Sequence, residues 1–158
     1  MSKENYVVFI ILEVMVMEYL REATLNDKEQ IYGLIVALEK MNIDTKCFSD
    51  IYDANLLNPF AFYYVYEKEN IILGFISIHV QKLLHHTANI AEVQEFIVHE
   101  KERQHGIGKL LFQKAKEIGA ENGCKQLEVC CNQKRLSSHK FYQLQGMTNN
   151  HYKFCLPL

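Results

Sequence analysis

Hydrophobic and polar positions alternate along this chain in two periods, and the changes of period divide it into strands and helices. The run from Tyr6 to Val16 is rich in Val, Ile and Phe and reads as a strand. Tyr19 to Arg21 reads as a short second one. Thr24 followed by Asp27 resembles a capping box ahead of Ile31, Leu34, Ile35 and Leu38, whose spacing predicts an amphipathic helix. A shorter helix is expected around Phe48 to Leu57, stopping before Pro59 because the residue preceding a proline is pushed out of the helical region. Phe62 to Tyr66 and Ile71 to Val80 flank the polar stretch Glu67 to Asn70 and predict a hairpin, with Gly74 hinting at a bulge.

Beyond a histidine-containing loop at Lys82 to Thr87, Ile90 to Val98 reads as another strand. Ile107, Leu110, Leu111, Ala115 and Ile118 then repeat at helical spacing, and Asn122-Gly123 supplies the stop. Leu127 to Cys131 is expected as a strand, Ser137 to Leu144 as a helix closed by Gly146, and His151 to Leu156 as a final strand. Strands alternating with helices predict an α/β sandwich: one domain with a mixed central sheet flanked by helices.

At 158 residues, with 49% hydrophobic and 23% charged positions, the chain suffices for one buried core and not for two domains. The string Leu12 to Met17 can be encoded with a ribosome-binding-like sequence just upstream of an ATG at Met17. We therefore expect the physiological start at Met17, residues 1–16 being an extension or an added strand and residues 17–158 the folded domain. Glu13 interrupts the apolar run, no small-residue cleavage site follows, and a membrane span needs about 18 apolar residues, so neither export nor insertion is expected. A net charge of -2 offers no general basic surface for nucleic acid. Cys47, Cys124, Cys130, Cys131 and Cys155 form an odd set without C-x-x-C spacing, which suggests reduced thiols in a cytoplasm. Cys130 and Cys131 fall together on the expected strand and so point to opposite faces.

The most informative stretch is Arg103-Gln104-His105-Gly106-Ile107-Gly108-Lys109, set between a strand and a helix. Its glycines let the backbone approach an anion and adopt unusual φ values. The first amides of a helix lack internal partners and sit at the positive end of its dipole, so this turn suits a pyrophosphate. Arg103 and Lys109 would add charge. The dinucleotide fingerprint lacks its third glycine, and the nucleotide-triphosphate loop lacks its Gly-Lys-Ser/Thr.

From Met17 onward the chain resembles the GNAT superfamily of N-acetyltransferases. The resemblance rests on Arg21-Glu22-Ala23-Thr24, the Gly74-Phe75 strand, the Arg103 to Lys109 turn and Phe141-Tyr142 ahead of Gly146-Met147. It implies acetyl-CoA as co-substrate, with its pantetheine arm between two splayed parallel strands, Glu92 to Val98 and Leu127 to Cys131. Main-chain groups of Phe96, Ile97 and Val98 would pair with that arm, and residues Arg103, Gln104, His105, Gly106, Ile107, Gly108 and Lys109 would hold the pyrophosphate. Asn132 would bond the pantetheine or cap a turn. Tyr142 matches the family's general acid beside the thioester sulfur; a tyrosine in an apolar helix is otherwise a packing residue.

Counting back from Arg103, Glu92 stands where some members carry the general base. Glu95, three residues on, is expected on the opposite strand face and is the reserve. Within the superfamily the chain is similar to the aminoalkylphosphonate N-acetyltransferases, through Asn55-Leu56, His79-Val80-Gln81, His85-His86, Glu92-Val93-Gln94-Glu95 and Asn132 to Tyr142. That resemblance implies a small primary amine carrying a phosphonate, met by cations such as Lys82, Lys134 or Arg135. Some of that group are assisted by a divalent metal, but His79, His85 and His86 match no standard metal spacing, and no metal ligand is assigned. A protein amine, a polyamine or an aminoglycoside stays open as acceptor, as does a non-catalytic acetyl-CoA sensor. The Tyr6 to Val16 strand could join two copies into a homodimer through its edge.

Overall fold

The computed structural model describes residues 18–158. The expected strand Tyr6 to Val16, the start at Met17 and the homodimer edge lie outside the described residues. Five strands, β1 (Glu18–Glu22), β2 (Ala61–Lys68), β3 (Ile71–Leu83), β4 (Ala88–Val98) and β5 (Cys124–Val129), form one sheet in sequence order. The first four are mutually antiparallel, and β5 pairs parallel to β4. The sheet is therefore mixed, as expected.

Helices α1 (Lys28–Glu39) and α2 (Thr45–Leu56) cover one face, where Ile31, Leu34 and Tyr52 pack on Tyr63, Val65, Phe75 and Ile97. Helix α3 (Ile107–Glu121) covers the other. Its Ile107, Leu111, Ala115 and Ile118 recur at about one turn and pack on Tyr64, Tyr66, Ile76, Ile78 and Val93. Each such large side chain contributes about 1.5–3 kcal/mol by leaving water. Helix α4 (Leu136–Leu144) lies at the end of β4, with Phe141 and Tyr142 against Phe96 and Phe112.

The start of α1 is held by charge as well as packing. The Asp27 carboxylate accepts from the Thr24 amide (2.7 Å) and hydroxyl (3.0 Å), and from two Arg21 nitrogens at 2.7 and 2.8 Å. Arg21 also bonds Glu67, so one guanidinium serves two buried carboxylates. Burial alone would raise the Asp27 carboxyl; the Arg21 and Thr24 bonds overcome it and hold it below the ordinary carboxylate value.

The β2–β3 hairpin turns through Glu69 and Asn70, both at positive φ (51° and 64°), the geometry that matches strand twist in a two-residue turn. Tyr66 pairs with Gly74 and Glu67 with Ile72, so Leu73 is an extra residue and the bulge falls beside Gly74. A second bulge lies in β4, where Ile76 pairs with Phe96 but Ile78 pairs with Val93.

Two expectations are corrected. Residues 148–158 form no strand, and Tyr152, Phe154 and Leu156 are exposed. Alternation alone cannot supply a pairing edge, and here none is engaged. β5 ends at Val129, so Cys130 and Cys131 lie beyond it, and their predicted placement on opposite faces of one strand does not apply.

Gly74 sets how closely α3 approaches the sheet. A Cβ there would lie 2.7 Å from Leu111 Cδ1 and 3.0 Å from Ile107 Cγ2. Gly74→Val is expected to force α3 outward and destabilise the fold by about 1–3 kcal/mol, read from the midpoint of urea unfolding. An unchanged midpoint would show that α3 accommodates the added methyls.

Candidate active site

The second bulge shapes the site. Up to Val93, β4 is paired with β5, Val93 opposite Val129, and beyond that point the two strands part. The half of β4 from Phe96 to Val98 keeps β3 on one side and opens on the other, the splayed arrangement expected. His99 N donates to Leu73 O (2.8 Å), so by alternation the main chain of Ile97 also faces β3. The N–H and C=O groups of Phe96 and Val98 face the gap. Ile97, expected to pair with pantetheine alongside them, is thus corrected: its main chain belongs to the ladder, and its side chain is buried under α1 and α2.

At the end of that open edge, the chain turns through Gln104 (φ 67°) and Gly106 (φ 89°) into α3. The first bond of the helix runs from Leu110 N to Gly106 O (3.1 Å), which leaves the amides of Ile107, Gly108 and Lys109 without helical partners. The unusual φ values fall on Gln104 and Gly106. Gly108 is helical, and a Cβ on it would touch Phe96, Phe141 and Val98 side chains at 3.6–3.7 Å. Arg103 Nε bonds Val98 O (3.2 Å), and Gln104, His105 and Lys109 are exposed around the turn. An anion here meets amides, a helix dipole and the cations of Arg103 and Lys109.

Asn132 caps a turn, one of its two readings. Its Oδ1 accepts from Lys134 N (2.9 Å), closing the turn that leads to α4.

The bulge also corrects the expected facing of the two carboxylates. Glu92 pairs with His79 and accepts from Gln81 Nε2 (3.2 Å), which places it on the α1/α2 face. One added residue at Gln94-Glu95 resets the alternation, so Glu95 falls on that same face rather than the opposite one. There Ser77, fully buried, donates its hydroxyl to the Glu95 carboxylate and accepts the Glu95 amide (2.9 Å). The residue that breaks the ladder is thereby satisfied by a side chain.

Only Glu95 of the two lines the open cavity of about 480 Å³ that lies between the sheet and the α1–α2 pair. An aromatic chain forms much of its wall: Phe48, Tyr52, Tyr63 and Phe75 have successive ring centroids 5.9, 5.6 and 5.4 Å apart. Asn55 Nδ2 donates to the Tyr63 hydroxyl (2.6 Å), and burial pushes the Tyr63 phenol up to about 12. His79 stacks on Tyr63, and its Nε2 is buried without a partner among the described residues. A buried polar atom left unpaired in the empty fold is one that a bound molecule can satisfy.

Tyr142 lies on the other side of β4. Its ring packs on Phe96 (6.3 Å) and Phe112 (6.0 Å). Burial pushes its phenol well above the ordinary tyrosine value, Cys131 adds to the rise and Arg135 opposes it. The phenol is therefore held protonated at neutral pH. His85 and His86 lie in the β3–β4 turn with rings 4.2 Å apart, and His86 Nε2 is 3.6 Å from Glu128. Among the described residues no group of three or more His, Cys, Asp or Glu is placed to hold a metal ion.

The sheet thus splays beside a helix N-terminus, with a cavity on one side of β4 and a buried tyrosine on the other. Residues 24–147 match the Acetyltransferase (GNAT) family. The chain belongs to that family. It is 36% identical over 146 residues to the aminoalkylphosphonate N-acetyltransferase of Salmonella typhimurium, covering 92% of this chain and 95% of that protein. It is an N-acetyltransferase, and the GNAT family uses acetyl-CoA as co-substrate. The fold is shared with a transcriptional regulator from Bacillus halodurans (TM-score 0.82, 19% identity, 90% of this chain and 100% of that one). It is shared also with aminoglycoside N-acetyltransferase AAC(6')-Iy in complex with CoA (TM-score 0.81, 14% identity, 90% and 95%). Among the described residues no helix is long and apolar enough to cross a membrane.

The face that Glu95 takes and the Ser77 contact carried no signal in the sequence, because neither the bulge nor the serine's partner follows from alternation. Ser77→Ala is expected to leave the Glu95 amide unsatisfied, costing about 1–3 kcal/mol of stability, and to lower turnover as the carboxylate loses its anchor. Denaturant midpoints and steady-state rates check both; unchanged values for both would make the contact dispensable.

Proposed function

We propose that this GNAT enzyme acetylates the primary amine of a small molecule carrying a phosphonate, with the amine beside Glu95 and the thioester beside Tyr142. The observation that carries the reading is the placement of these two side chains on opposite sides of one strand edge, at the point where the strand opens. Acetyl-CoA supplies the acetyl group as a thioester, whose carbon–sulfur bond gives way to a carbon–nitrogen bond with the acceptor. Glu95, held by Ser77, takes the proton the amine must lose. The outward Phe96 amide is a donor for the developing oxyanion. Tyr142, kept protonated by burial, gives its proton to the departing sulfur.

Glu95 rather than Glu92 is our base, since Glu95 lines the cavity and Glu92 is bonded to Gln81 outside it. The unpartnered His79 nitrogen would bond the acceptor. The phosphonate is supported by the 36% identical relative, whose name gives that substrate class. The described cysteines are all free, consistent with a cytoplasmic enzyme.

Acetyl-CoA is expected to raise the melting temperature of the wild type, since it binds the folded state alone. Gly106→Asp should abolish the shift, because a strained positive φ and a negative charge would both enter the turn. A retained shift would move the cofactor elsewhere. Tyr142→Phe is expected to lower kcat on the order of 10²-fold with the cofactor shift intact. Glu95→Gln should do the same, whereas Glu92→Gln should act weakly. The reverse ranking of the two glutamates would return the base to Glu92.

A further inference from the structure

The cavity raises a problem of charge. Its lining contains two carboxylates, Asp44 and Glu95, and neither lysine nor arginine. Asp44 caps α2 by accepting from Cys47 N (2.7 Å), and that bond holds it below the ordinary carboxylate value. Such a wall suits the ammonium end of the acceptor and repels a phosphonate. If the phosphonate reading holds, the anionic end must be met by a cation at the border of the cavity.

Three cations were expected near this region, and the structure separates them. Lys82 has its ammonium over the Phe60 ring at 5.6 Å and pairs with Asn89 in the β3–β4 ladder, where alternation with Ile78 and Val80 puts it on the α3 face, away from the cavity. Lys134 is exposed on the turn closed by Asn132. Arg135 stands at the start of α4, about two helical turns before Tyr142, and acts electrostatically on both Tyr142 and Cys131. Its Nη2 reaches across to α1 and bonds Glu39 Oε1 at 3.1 Å. Glu39 is one turn beyond Ile35 on the same side of α1, and Ile35 lines the cavity. Arg135 therefore bridges from the tyrosine side of the gap to the rim of the acceptor cavity.

We propose that Arg135 is the specificity-determining residue that receives the acceptor's phosphonate, giving up Glu39 in exchange. The inference rests on the phosphonate reading above. Both partners are partly exposed (37% and 44% of their side chains), so the resting ion pair is weak and cheap to break. A phosphonate offers the planar guanidinium two parallel hydrogen bonds and more negative charge than a carboxylate. Glu39 is thereby a resident counter-ion that keeps the guanidinium aimed at the rim when no acceptor is bound.

The test compares kcat/KM for aminoethylphosphonate and ethylamine in the wild type and in Arg135→Ala, Arg135→Lys and Glu39→Gln. The acetyl-CoA melting shift serves as the control for fold and cofactor site. The wild type is expected to prefer the phosphonate, and Arg135→Ala to lose about thirtyfold of that preference, mainly through KM. Arg135→Lys should keep part of it, since a point charge remains but the fork is gone. Glu39→Gln should lower KM for the phosphonate and leave ethylamine unaffected. A preference undiminished in Arg135→Ala with a normal cofactor shift overturns the role of Arg135 alone. An unchanged KM in Glu39→Gln overturns the exchange. Equal rates on both amines in the wild type overturn the phosphonate reading and this inference with it. Should Arg135→Ala lose the cofactor shift, the ratio in Arg135→Lys decides instead, an unreduced preference there counting against the inference.

Discussion

The bulge in β4 is the constraint on which the rest of the site depends. One residue too many between Val93 and Phe96 breaks the register with β3, and pairing with β5 ends at the same place. The open half of β4 then presents the main-chain groups of Phe96 and Val98 to a gap, where an extended ligand can complete the ladder as an added strand would. The same extra residue turns Glu95 onto the face that lines the cavity. Local backbone irregularity thus produces two features at once: a free strand edge and a carboxylate facing the cavity.

Such an irregularity needs support, and the structure supplies it from both faces. Ser77 takes up the hydrogen bonds that the ladder loses at Glu95. On the other face, Gly74 lets Leu111 and Ile107 settle against β3, which fixes the height of α3 and so the position of its free amides beside the strand end. The Arg103 to Lys109 turn is therefore positioned by packing at its own Ile107 and, one helical turn on, at Leu111. Far from the site, the Arg21, Asp27 and Glu67 cluster anchors the start of α1, whose other end carries Glu39 at the cavity rim.

Charge divides the site in a way that agrees with the chemistry. The cavity side carries Glu95 and Asp44 within an otherwise largely apolar and aromatic wall. The tyrosine side is buried against Phe96 and Phe112, where the neutral phenol is the stable form. The Glu95 carboxylate and the Tyr142 phenol are therefore kept on separate faces of one strand.

The sequence by itself determined the layers of this protein and the glycine turn that opens α3. Helical and strand periods located every element from β1 to α4, because each buries one face and the period records which residues lie on it. The Arg103 to Lys109 turn was legible because glycines next to a helix start have a local conformational meaning that does not depend on distant contacts. What only the tertiary structure decided was anything that required a partner. Glu95 shares a face with Glu92, against the expected alternation, because of a bulge stabilised by Ser77, eighteen residues away along the chain. Ile97 is lost to the ladder for the same reason of register. The alternating apolar residues of 151–156 announced a strand and formed none, since a strand exists only when a neighbouring edge accepts its hydrogen bonds, and no pattern within a segment can supply that edge.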